Sequence, residues 1–300
     1  MSATADSLIQ LAVQGREALD AETLRTKQDR LIEGLRSLGS VIVAYSGGTD
    51  SAYLAWAANE ALGERALAIT ADSPSIPASH KRDAEEFVRQ FNIPHRYIET
   101  NEFDNPDYLK NDKNRCFHCK DELFTRLDAY AQEHSLENVV YGVNKDDLGD
   151  YRPGQQAAAK HRVKAPLVEA NLSKAEIREL SRVAGLPTWD RPAAACLSSR
   201  IPYGTPVSKE NIRTVEIGEE ELKALGFRQF RTRFHGELVR IEIAREEMGR
   251  AMDLEMAQRF SAVFRKLGFK YVTLDLDGYR QGSLNEVLEQ SLTLKDPVTR

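Results

Sequence analysis

Cysteine is scarce in this sequence, with three residues in a chain of 300. An odd number this small excludes the dense disulfide framework of small secreted domains and favours metal-binding or catalytic use. Long apolar runs are also missing, because none approaches the roughly 20 residues that a membrane-spanning helix needs. The N-terminus has Asp6 ahead of a short apolar stretch and no basic region, so it lacks the features of a secretory signal. We therefore expect a cytoplasmic protein that has no membrane partner.

An excess of positive charge is missing as well. The 46 aspartates and glutamates outnumber the 41 lysines and arginines, which gives a net charge of −5. Many nucleic-acid-binding proteins are basic, so nucleic acid is not the expected partner, although a local basic face can exist within an acidic total. The apolar fraction of 41% is that of an ordinary globular protein.

Strands and helices alternate along the first two thirds of the chain. Leucines recur at helical spacing from Leu24 to Leu38 and predict a first helix that ends at Gly39. Strand patterns follow at residues 41–45, 66–70, 96–100 and 138–142, and helical patterns at 78–91, 121–134 and 173–184. The last helix has a capping-box pattern, with Ser173 as N-cap and Glu176 three residues later. This alternation predicts an α/β fold, a doubly wound parallel sheet with helices on both faces.

The pattern changes near residues 191–206, which contain proline, serine and glycine and which we interpret as a domain junction. We predict an N-terminal arm over residues 1–20, a nucleotide-binding domain over 21–200 and a smaller α+β domain over 201–300. In the last of these, His235-Gly236 is predicted to join two strands in a hairpin.

The predicted α+β domain contains a weak internal repeat. ELKALGFRQFRTRF ends at Phe234 and VFRKLGFKYVTLDL ends at Leu276, 42 residues later. Each segment predicts a helix, a Gly-Phe turn and a strand, with Gly226 and Gly268 as the helix C-caps. Shared ancestry and two merely similar helix-to-strand joints both explain this repeat.

Residues 46–51, with the sequence SGGTDS, follow the first predicted strand directly and open a helix near Asp50. Two adjacent glycines let an anion approach the backbone closely, and the helix N-terminus adds positive potential. Asp50 would repel phosphates unless a cation such as Mg²⁺ lies between them, and we assign it a catalytic role. A simple strand-to-helix turn is the alternative. The residues predicted to bind the phosphates of ATP are Ser46, Gly47, Gly48, Thr49, Asp50 and Ser51.

A second polar loop follows the strand predicted at residues 138–142. Ligand-binding loops gather at the carboxyl ends of strands in such sheets, so we predict that Gly142 and Asn144 contact the nucleotide. Asn144 and Asp147 are also candidates for binding Mg²⁺. The alternative is a turn rich in hydrogen bonds from Asn and Asp side chains.

Two of the three cysteines, Cys116 and Cys119, have C-x-x-C spacing in RCFHCK, just before a predicted helix, and Cys196 lies in RPAAACLSSR. Neighbouring basic residues favour thiolates. Several interpretations stay open. The three cysteines could hold a [4Fe-4S] cluster that leaves one iron open, or could hold zinc together with His118. The C-x-x-C could instead be a redox pair beside a catalytic Cys196, or all three could be structural.

The SGGTDS segment resembles the S-G-G-x-D-S motif of the PP-loop ATP pyrophosphatase superfamily, whose fold is similar to that of the adenine nucleotide alpha hydrolases. The resemblance implies that an oxygen nucleophile attacks the α-phosphorus of ATP and leaves an adenylate and pyrophosphate. A Walker A motif is absent. Ala71 and Asp72, at the end of the second predicted strand, occupy the place where this superfamily usually holds the adenosine.

Four motifs in order, YSGGTDSAYLA, NRCFHCK, YGVNKDDLGDYRPG and RPAAACLSSRIPYG, resemble the LarE sulfur transferases, which mature the nickel-pincer cofactor of lactate racemase. The resemblance spans about residues 20–285. It implies a small-molecule substrate, a pyridine dicarboxylate mononucleotide, whose carboxylate is adenylylated and then converted to a thiocarboxylate with loss of AMP.

The same resemblance makes Cys196 the sulfur-bearing cysteine. In members with one cysteine this residue gives up its own sulfur and becomes dehydroalanine. Cys116 and Cys119 match the subgroup that has a [4Fe-4S] cluster, in which the delivered sulfur would be a sulfide on the open iron. The additional cysteines depart from the sacrificial pattern.

Three arginines are candidates for binding the phosphate of the substrate. Arg200 closes the Cys196 motif and could hold a phosphate by two hydrogen bonds. Arg231 and Arg233 lie on one face of a predicted strand, for which a solvated surface is the alternative.

Other functions compete with sulfur transfer to a mononucleotide. A tRNA thiolase would use the same loop and cluster, but the acidic balance counts against it. An ammonia-using amide ligase similar to NAD synthetase leaves the cysteines unexplained, and a nucleotide-sensing module would release no pyrophosphate. A homo-oligomer is compatible with the sequence.

Overall fold

A four-stranded parallel sheet forms the centre of the first part of the molecule. The computed structural model describes residues 20–149, 153–192 and 195–280. The strands of this sheet are β1 Val41–Ala44, β2 Ala66–Asp72, β3 His95–Glu99 and β4 Asn138–Tyr141. Their order is β3-β2-β1-β4, and all neighbours are parallel. The chain therefore crosses from one side of β1 to the other, which creates a switch point between β1 and β4.

Helices cover both faces of this sheet, as the alternating sequence predicts. In chain order they are α1 Ala21–Ser37, α2 Thr49–Leu62, α3 Ala78–Gln90, the short α4 Pro106–Leu109, α5 Arg115–Glu133, α6 Pro153–Lys160, the short α7 Pro166–Glu169 and α8 Lys174–Val183. Val41 and Val43 of β1 pack among α1, α2, α3 and α8 on one face, whereas Ile42 and Ala44 pack against α5 and α6 on the other. Burial on both faces explains why β1 is apolar throughout.

The first residues of two helices can be compared with the sequence predictions. The capping box at Ser173 and Glu176 is present, so this prediction is confirmed. The predicted start of α5 is wrong, because the helix begins at Arg115 and not near residue 121. An Asp112–Asn114 turn leads directly into it, with the Asn114 N–H donating to Asp112 Oδ1 at 2.7 Å. Cys116 and Cys119 consequently lie inside the first turns of α5 and not ahead of it.

A second, three-stranded sheet follows. Its elements are α9 Lys209–Ala224, β5 Phe230–His235, β6 Leu238–Ile243, the short α10 Met248–Ala251, α11 Leu254–Lys266 and β7 Tyr271–Leu274. β5 and β6 form the predicted hairpin, β6 and β7 are parallel, and the order is β5-β6-β7. His235 pairs with Leu238, so the turn is Gly236-Glu237, one residue later than predicted. The positive φ of Gly236, 66°, suits this tight turn.

The two Gly-Phe joints adopt one geometry. Gly226 and Gly268 have φ values of 86° and 94° directly after the C-caps of α9 and α11, which confirms the predicted helix ends. The N–H groups of Phe227 and Phe269 each donate back to the carbonyl five residues earlier, at 3.2 and 3.1 Å. Both rings are buried in one cluster. The joints are therefore structurally equivalent, whatever the origin of the repeat.

The predicted domain limits stay predictions. Of the arm predicted over residues 1–20, all but Asp20 lies outside the described residues, as do residues 281–300 of the predicted last domain. Asp20 caps α1, accepting from the Thr23 N–H at 2.9 Å. Within the part of the chain that the structure describes, every helix is too short or too polar to cross a membrane.

Candidate active site

The SGGTDS loop, which we call the phosphate loop, connects β1 to α2 at the carboxyl edge of the parallel sheet. Gly48 is the N-cap of α2, and Gly47 has a φ of 74°, a conformation that suits glycine. The Ser51 hydroxyl donates to the Gly48 carbonyl at 3.1 Å and accepts from the Ser46 N–H at 3.2 Å. The loop is thus held by bonds among its own residues, and the N-terminus of α2 offers amide groups to an anion.

Gly142 brings the end of β4 against this loop. A Cβ atom at position 142 would lie 2.8 Å from the Ser51 N and 2.9 Å from the Ser51 Cα. Only glycine permits so close an approach of the two backbones. The β4 loop therefore borders the phosphate loop at the switch point of the sheet.

Asp50 lies in the loop with an unusual set of partners. Its Oδ2 accepts from Lys174 Nζ at 2.7 Å, while its Oδ1 is buried and has no hydrogen-bond partner among the described residues. Burial raises the pKa of Asp50, an effect opposed by Lys174 and Asn144 and increased by Asp147. An unpartnered, buried carboxylate oxygen fits a hard cation such as Mg²⁺.

The loop after β4 forms the side-chain turn that was the alternative for this segment. Asn144 is buried, its N–H donates to Asp147 Oδ2 at 3.0 Å, and its Oδ1 accepts from the Asp146 N–H at 2.9 Å. The same turn holds Asn144 beside Asp50, and nucleotide binding by Asn144 stays a prediction. At the end of β2, Ala71 is half-buried, and the exposed Asp72 pairs with Lys81 of α3.

The three cysteines lie in one region of the molecule, where Cys196 influences the pKa of both Cys116 and Cys119. Cys119 packs against the same apolar cluster as Leu197, the residue after Cys196. Burial raises the pKa of Cys119, and the nearby Glu102 and Cys196 raise it further. Cys116 is exposed as a residue, yet desolvation of its thiol and the proximity of Cys196 raise its pKa, against the influence of Arg115. Among the described residues, no three Cys, His, Asp or Glu side chains form a group that could hold a metal ion.

A buried chain of hydroxyl groups holds the short helical turn Leu197–Arg200, whose N-cap is Cys196 and which we call the Cys196 turn. Glu102 Oε1 accepts from Ser75 Oγ at 2.9 Å, Ser75 Oγ lies 3.1 Å from Tyr108 Oη, and Tyr108 Oη lies 2.7 Å from Ser198 Oγ. The Leu197 N–H also donates to the Ser75 carbonyl at 2.8 Å. We call Glu102, Ser75, Tyr108 and Ser198 the hydroxyl chain. Sequence reasoning missed it because its members come from four separate segments.

Arg115 adds a direct bond between α5 and the Cys196 turn. This buried guanidinium donates to the Ser198 carbonyl at 2.7 Å and also to Asn111 Oδ1. Asn111 in turn donates to the carbonyls of Pro202 and Thr205, both at 2.8 Å. The helix that carries two cysteines is therefore joined to the turn that carries the third.

The segment that leads to Cys196 begins at the phosphate loop. Thr49 Oγ1 donates to the Thr188 carbonyl at 2.8 Å, and Arg191 Nη1 donates to the Gly47 carbonyl at 2.8 Å. Two bonds thus connect residues 188–191 to the loop that would bind ATP. Thr188 does not stand out in the sequence, and Arg191 opens the RPAAACLSSR motif but was not predicted to contact the loop.

The predicted phosphate-binding arginines differ in their surroundings. Arg200 is buried, forms a two-bond pair with Glu219 at 2.8 Å and donates to the Cys196 carbonyl at 3.1 Å. Burial raises the pKa of Glu219, but Arg200, together with Arg231 and the Thr232 N–H, outweighs this and the pKa is lowered. Arg233 is also buried and pairs with Glu242 at 2.9 and 2.8 Å, so the alternative of a solvated face does not describe it.

Arg231 lines an open groove of about 390 Å³ between α3, α9, β5 and the segment before Cys196. Its guanidinium lies 4.9 Å from the ring centre of Tyr279. Arg191 and Arg200 line the same groove, so it borders both the phosphate loop and the Cys196 turn. Whether the three arginines bind a substrate phosphate stays a prediction.

The chain has relatives over nearly its whole length, although no family model matches it. An uncharacterised protein of Synechocystis sp. is 42% identical over 265 residues, which are 88% of this chain and 99% of that protein. An uncharacterised protein of Methanocaldococcus jannaschii is 27% identical over 240 residues, 80% of this chain and 90% of that protein.

A parallel sheet whose inner strand leads through the SGGTDS loop into a buried helix defines an α/β protein of the PP-loop class. Pyridinium-3,5-bisthiocarboxylic acid mononucleotide synthase of Lactiplantibacillus plantarum is 34% identical over 276 residues, 90% of this chain and 97% of that enzyme. The chain belongs to the family of this synthase, the LarE family.

Proposed function

We propose that the chain is an ATP-dependent sulfur transferase that activates a carboxylate as its adenylate and converts it to a thiocarboxylate. The similarity to the synthase over nearly the whole of both chains supports this activity and a pyridine dicarboxylate mononucleotide as substrate. In the first step a carboxylate oxygen bonds to the α-phosphorus of ATP, the α–β phosphoanhydride bond breaks, and pyrophosphate leaves. In the second step a C–S bond forms at the acyl carbon, the bond between that carbon and the phosphate oxygen breaks, and AMP leaves.

The observation that carries the proposal is the small separation in sequence between two sets of contacts. Thr188 and Arg191 are bonded to the phosphate loop, and Ser198, two residues after Cys196, accepts a hydrogen bond from Arg115 of α5. The adenylate and its sulfur nucleophile must meet at one carbon atom, and a short connection between their sites favours this.

In the adenylylation step, the SGGTDS loop would bind the phosphates through its backbone amides and serine hydroxyls. Asp50, with its unpartnered Oδ1, would hold Mg²⁺. When bound, Mg²⁺ would offset the charge of the phosphates and stabilise the pyrophosphate that leaves. Asn144 and Gly142 border this position, and Ala71 and Asp72 would border the adenosine.

For the sulfur step, Cys116, Cys119 and Cys196 would be the ligands of a [4Fe-4S] cluster, because thiolates hold such clusters in proteins. In support, Cys196 lies near enough to influence the pKa of both other thiols, and the basic side chains of Arg115 and Lys120 oppose the rise in these pKa values. When bound, the cluster would supply an exchangeable sulfide. Cys196 would otherwise give up its own sulfur, which leaves the C-x-x-C without a role. Arg231 would bind the substrate phosphate in the groove, which Arg200 also lines, while Arg233 would hold the Ser199 carbonyl of the Cys196 turn.

The test is a reaction of anaerobically purified protein with ATP, sulfide and the pyridine dicarboxylate mononucleotide. We expect pyrophosphate and AMP in equal amounts, and mass spectrometry should show a product in which sulfur replaces a carboxylate oxygen. Asp50→Ala protein should release no pyrophosphate, because the cation would lose its ligand. Pyrophosphate release that does not require the carboxylate, or sulfur that enters bulk tRNA instead, would contradict the proposal.

A further inference from the structure

Lys174 is the ion-pair partner of the aspartate in the phosphate loop. Its Nζ lies 2.7 Å from Asp50 Oδ2, and the two side chains keep 35% and 19% of their accessible surface. The two residues are 124 positions apart in the sequence, so the pair is a product of the fold. A loop that must accept a triphosphate thus holds a carboxylate, and an ammonium group compensates it.

The position of Lys174 is fixed by the protein around it. Lys174 is the first residue of α8, after the capping box formed by Ser173 and Glu176, and its own N–H donates to Asp146 Oδ2 at 2.8 Å. A positive side chain at a helix N-terminus opposes the helix dipole, which favours acidic residues there. The helix dipole therefore does not explain a lysine at this position, whereas the charge of Asp50 does.

Asp50 has two oxygens in different states. Oδ2 is bonded to Lys174, and Oδ1 is buried without a partner among the described residues. A divalent cation that bound this carboxylate would meet the ammonium group as a competing positive charge. The flexible four-carbon chain of a lysine allows the ammonium to turn from the carboxylate to a nearby phosphate oxygen.

We propose that Lys174 is a catalytic residue of adenylylation, which neutralises Asp50 in the empty loop and contacts the phosphates of ATP when a divalent cation takes its place on Asp50. In the second position, the ammonium group donates to an oxygen of the departing pyrophosphate, where negative charge grows as the α–β bond breaks. This role rests on the proposed adenylylation. The replacement of the Lys174 ammonium group by a divalent cation on Asp50 can be measured without adenylylation.

The first measurement is Mn²⁺ binding to nucleotide-free protein, followed by electron paramagnetic resonance. Lys174→Met removes the competing charge, so the affinity for Mn²⁺ should rise about tenfold, as expected for loss of a unit charge next to a partly exposed carboxylate. Lys174→Arg keeps the charge and should bind like the wild type. Lys27→Met is the matched control, because Lys27 pairs with Glu176 of the same helix at 2.6 Å but does not contact the loop.

The second measurement is the affinity for an ATP analogue with a non-hydrolysable α–β bridge, in the presence of saturating Mn²⁺. Lys174→Met should weaken it about tenfold, the effect of one lost charged contact to phosphate, and Lys27→Met should not change it. Unchanged Mn²⁺ affinity or unchanged analogue affinity in Lys174→Met would overturn the role of Lys174. If Lys174→Met shows both changes in affinity, yet the wild-type protein forms no pyrophosphate with any carboxylate, the proposed function is overturned instead.

Discussion

The phosphate loop and the cysteine site are held in place by bonds of different range. The loop is closed by hydrogen bonds between Ser46, Gly48 and Ser51, at most five residues apart. The cysteine site depends on buried side-chain bonds such as that between Tyr108 and Ser198, which are 90 residues apart. The turn of the loop can form locally and is then anchored by distant residues such as Thr188 and Arg191, whereas the cysteine site is assembled only when α5 and the Cys196 turn meet. We therefore expect adenylylation to survive changes that abolish sulfur transfer.

The largest effect should come from Cys196→Ala, which separates the two regions by activity. Sulfur incorporation should fall to the background because the thiol that we propose to bear the sulfur is lost. Pyrophosphate release in the first turnover should stay near the wild-type rate, since the loop does not depend on the thiol. Parallel assays of pyrophosphate and of thiocarboxylate, the latter by mass spectrometry, measure both.

The same series of variants distinguishes the two sources of sulfur. If a cluster is used, anaerobic protein should contain about four irons per chain, and Cys116→Ala and Cys119→Ala should also lose sulfur transfer. If instead turnover leaves Cys196 lighter by one H₂S and the other two cysteines are dispensable, the sacrificial mechanism replaces the cluster.

Arg200→Ala should have the largest effect on stability. It would leave Glu219 in a buried position without its guanidinium partner, which costs about 3–5 kcal/mol of unfolding free energy. The control is Arg182→Ala, because its pair with Glu179 is exposed and should contribute about 0–1 kcal/mol. Urea denaturation measures both. Equal losses in the two variants would mean that the Arg200 pair does not stabilise the Cys196 turn.

Gly142→Ala tests the close contact between the β4 loop and the phosphate loop. The added methyl group would meet the Ser51 backbone, so we expect a loss of about 1–3 kcal/mol in stability and weaker ATP binding. Gly34→Ala is the matched control, because a Cβ at this α1 position meets no atom within 4 Å. It should stabilise the protein by about 0.5–1 kcal/mol. If calorimetry shows that Gly142→Ala protein is as stable as the wild type and binds ATP as tightly, the close contact is contradicted.

Tyr108→Phe should have the smallest effect on stability and a selective effect on activity. It interrupts the hydroxyl chain at its middle, which should cost about 1 kcal/mol. Sulfur transfer should slow while pyrophosphate release is unchanged, because Ser198 loses a partner next to Cys196. Tyr271→Phe, in which the altered residue is largely exposed, is the control. Equal slowing of both steps would show that the chain stabilises the whole fold and not the cysteine site alone.

The features that could be predicted from the sequence are those encoded in contiguous residues. The apolar run of β1, the SGGTDS loop and the capping box at Ser173 each express their structure within about six residues, and each is present. The Gly-Phe joints succeed for the same reason, since a glycine at positive φ marks each helix end.

The features that could not be predicted depend on tertiary contacts. Nothing in the sequence around Lys174 indicates its ion pair with Asp50, and nothing around Tyr108 indicates the hydrogen bond of its hydroxyl with Ser198. The start of α5 was missed because residues 115–120 contain polar and cysteine residues without a clear helical pattern. Packing of this turn against α4 and α6, and the bond of Arg115 to Ser198, favour the helix there.

The Arg200–Glu219 pair has a consequence for any attempt to divide the chain. A fragment that ended at residue 200 would retain the arginine but lose Glu219, and it would also remove the Arg233 side chain that donates to the Ser199 carbonyl at 2.9 Å. The complementary fragment would contain Glu219 without its partner Arg200. It would also contain Arg233 without the Ser199 carbonyl to which that arginine donates. Separate expression of the two pieces should therefore give an N-terminal fragment whose Cys196 turn is disordered, and mixing the pieces should restore it only if this interface reassembles.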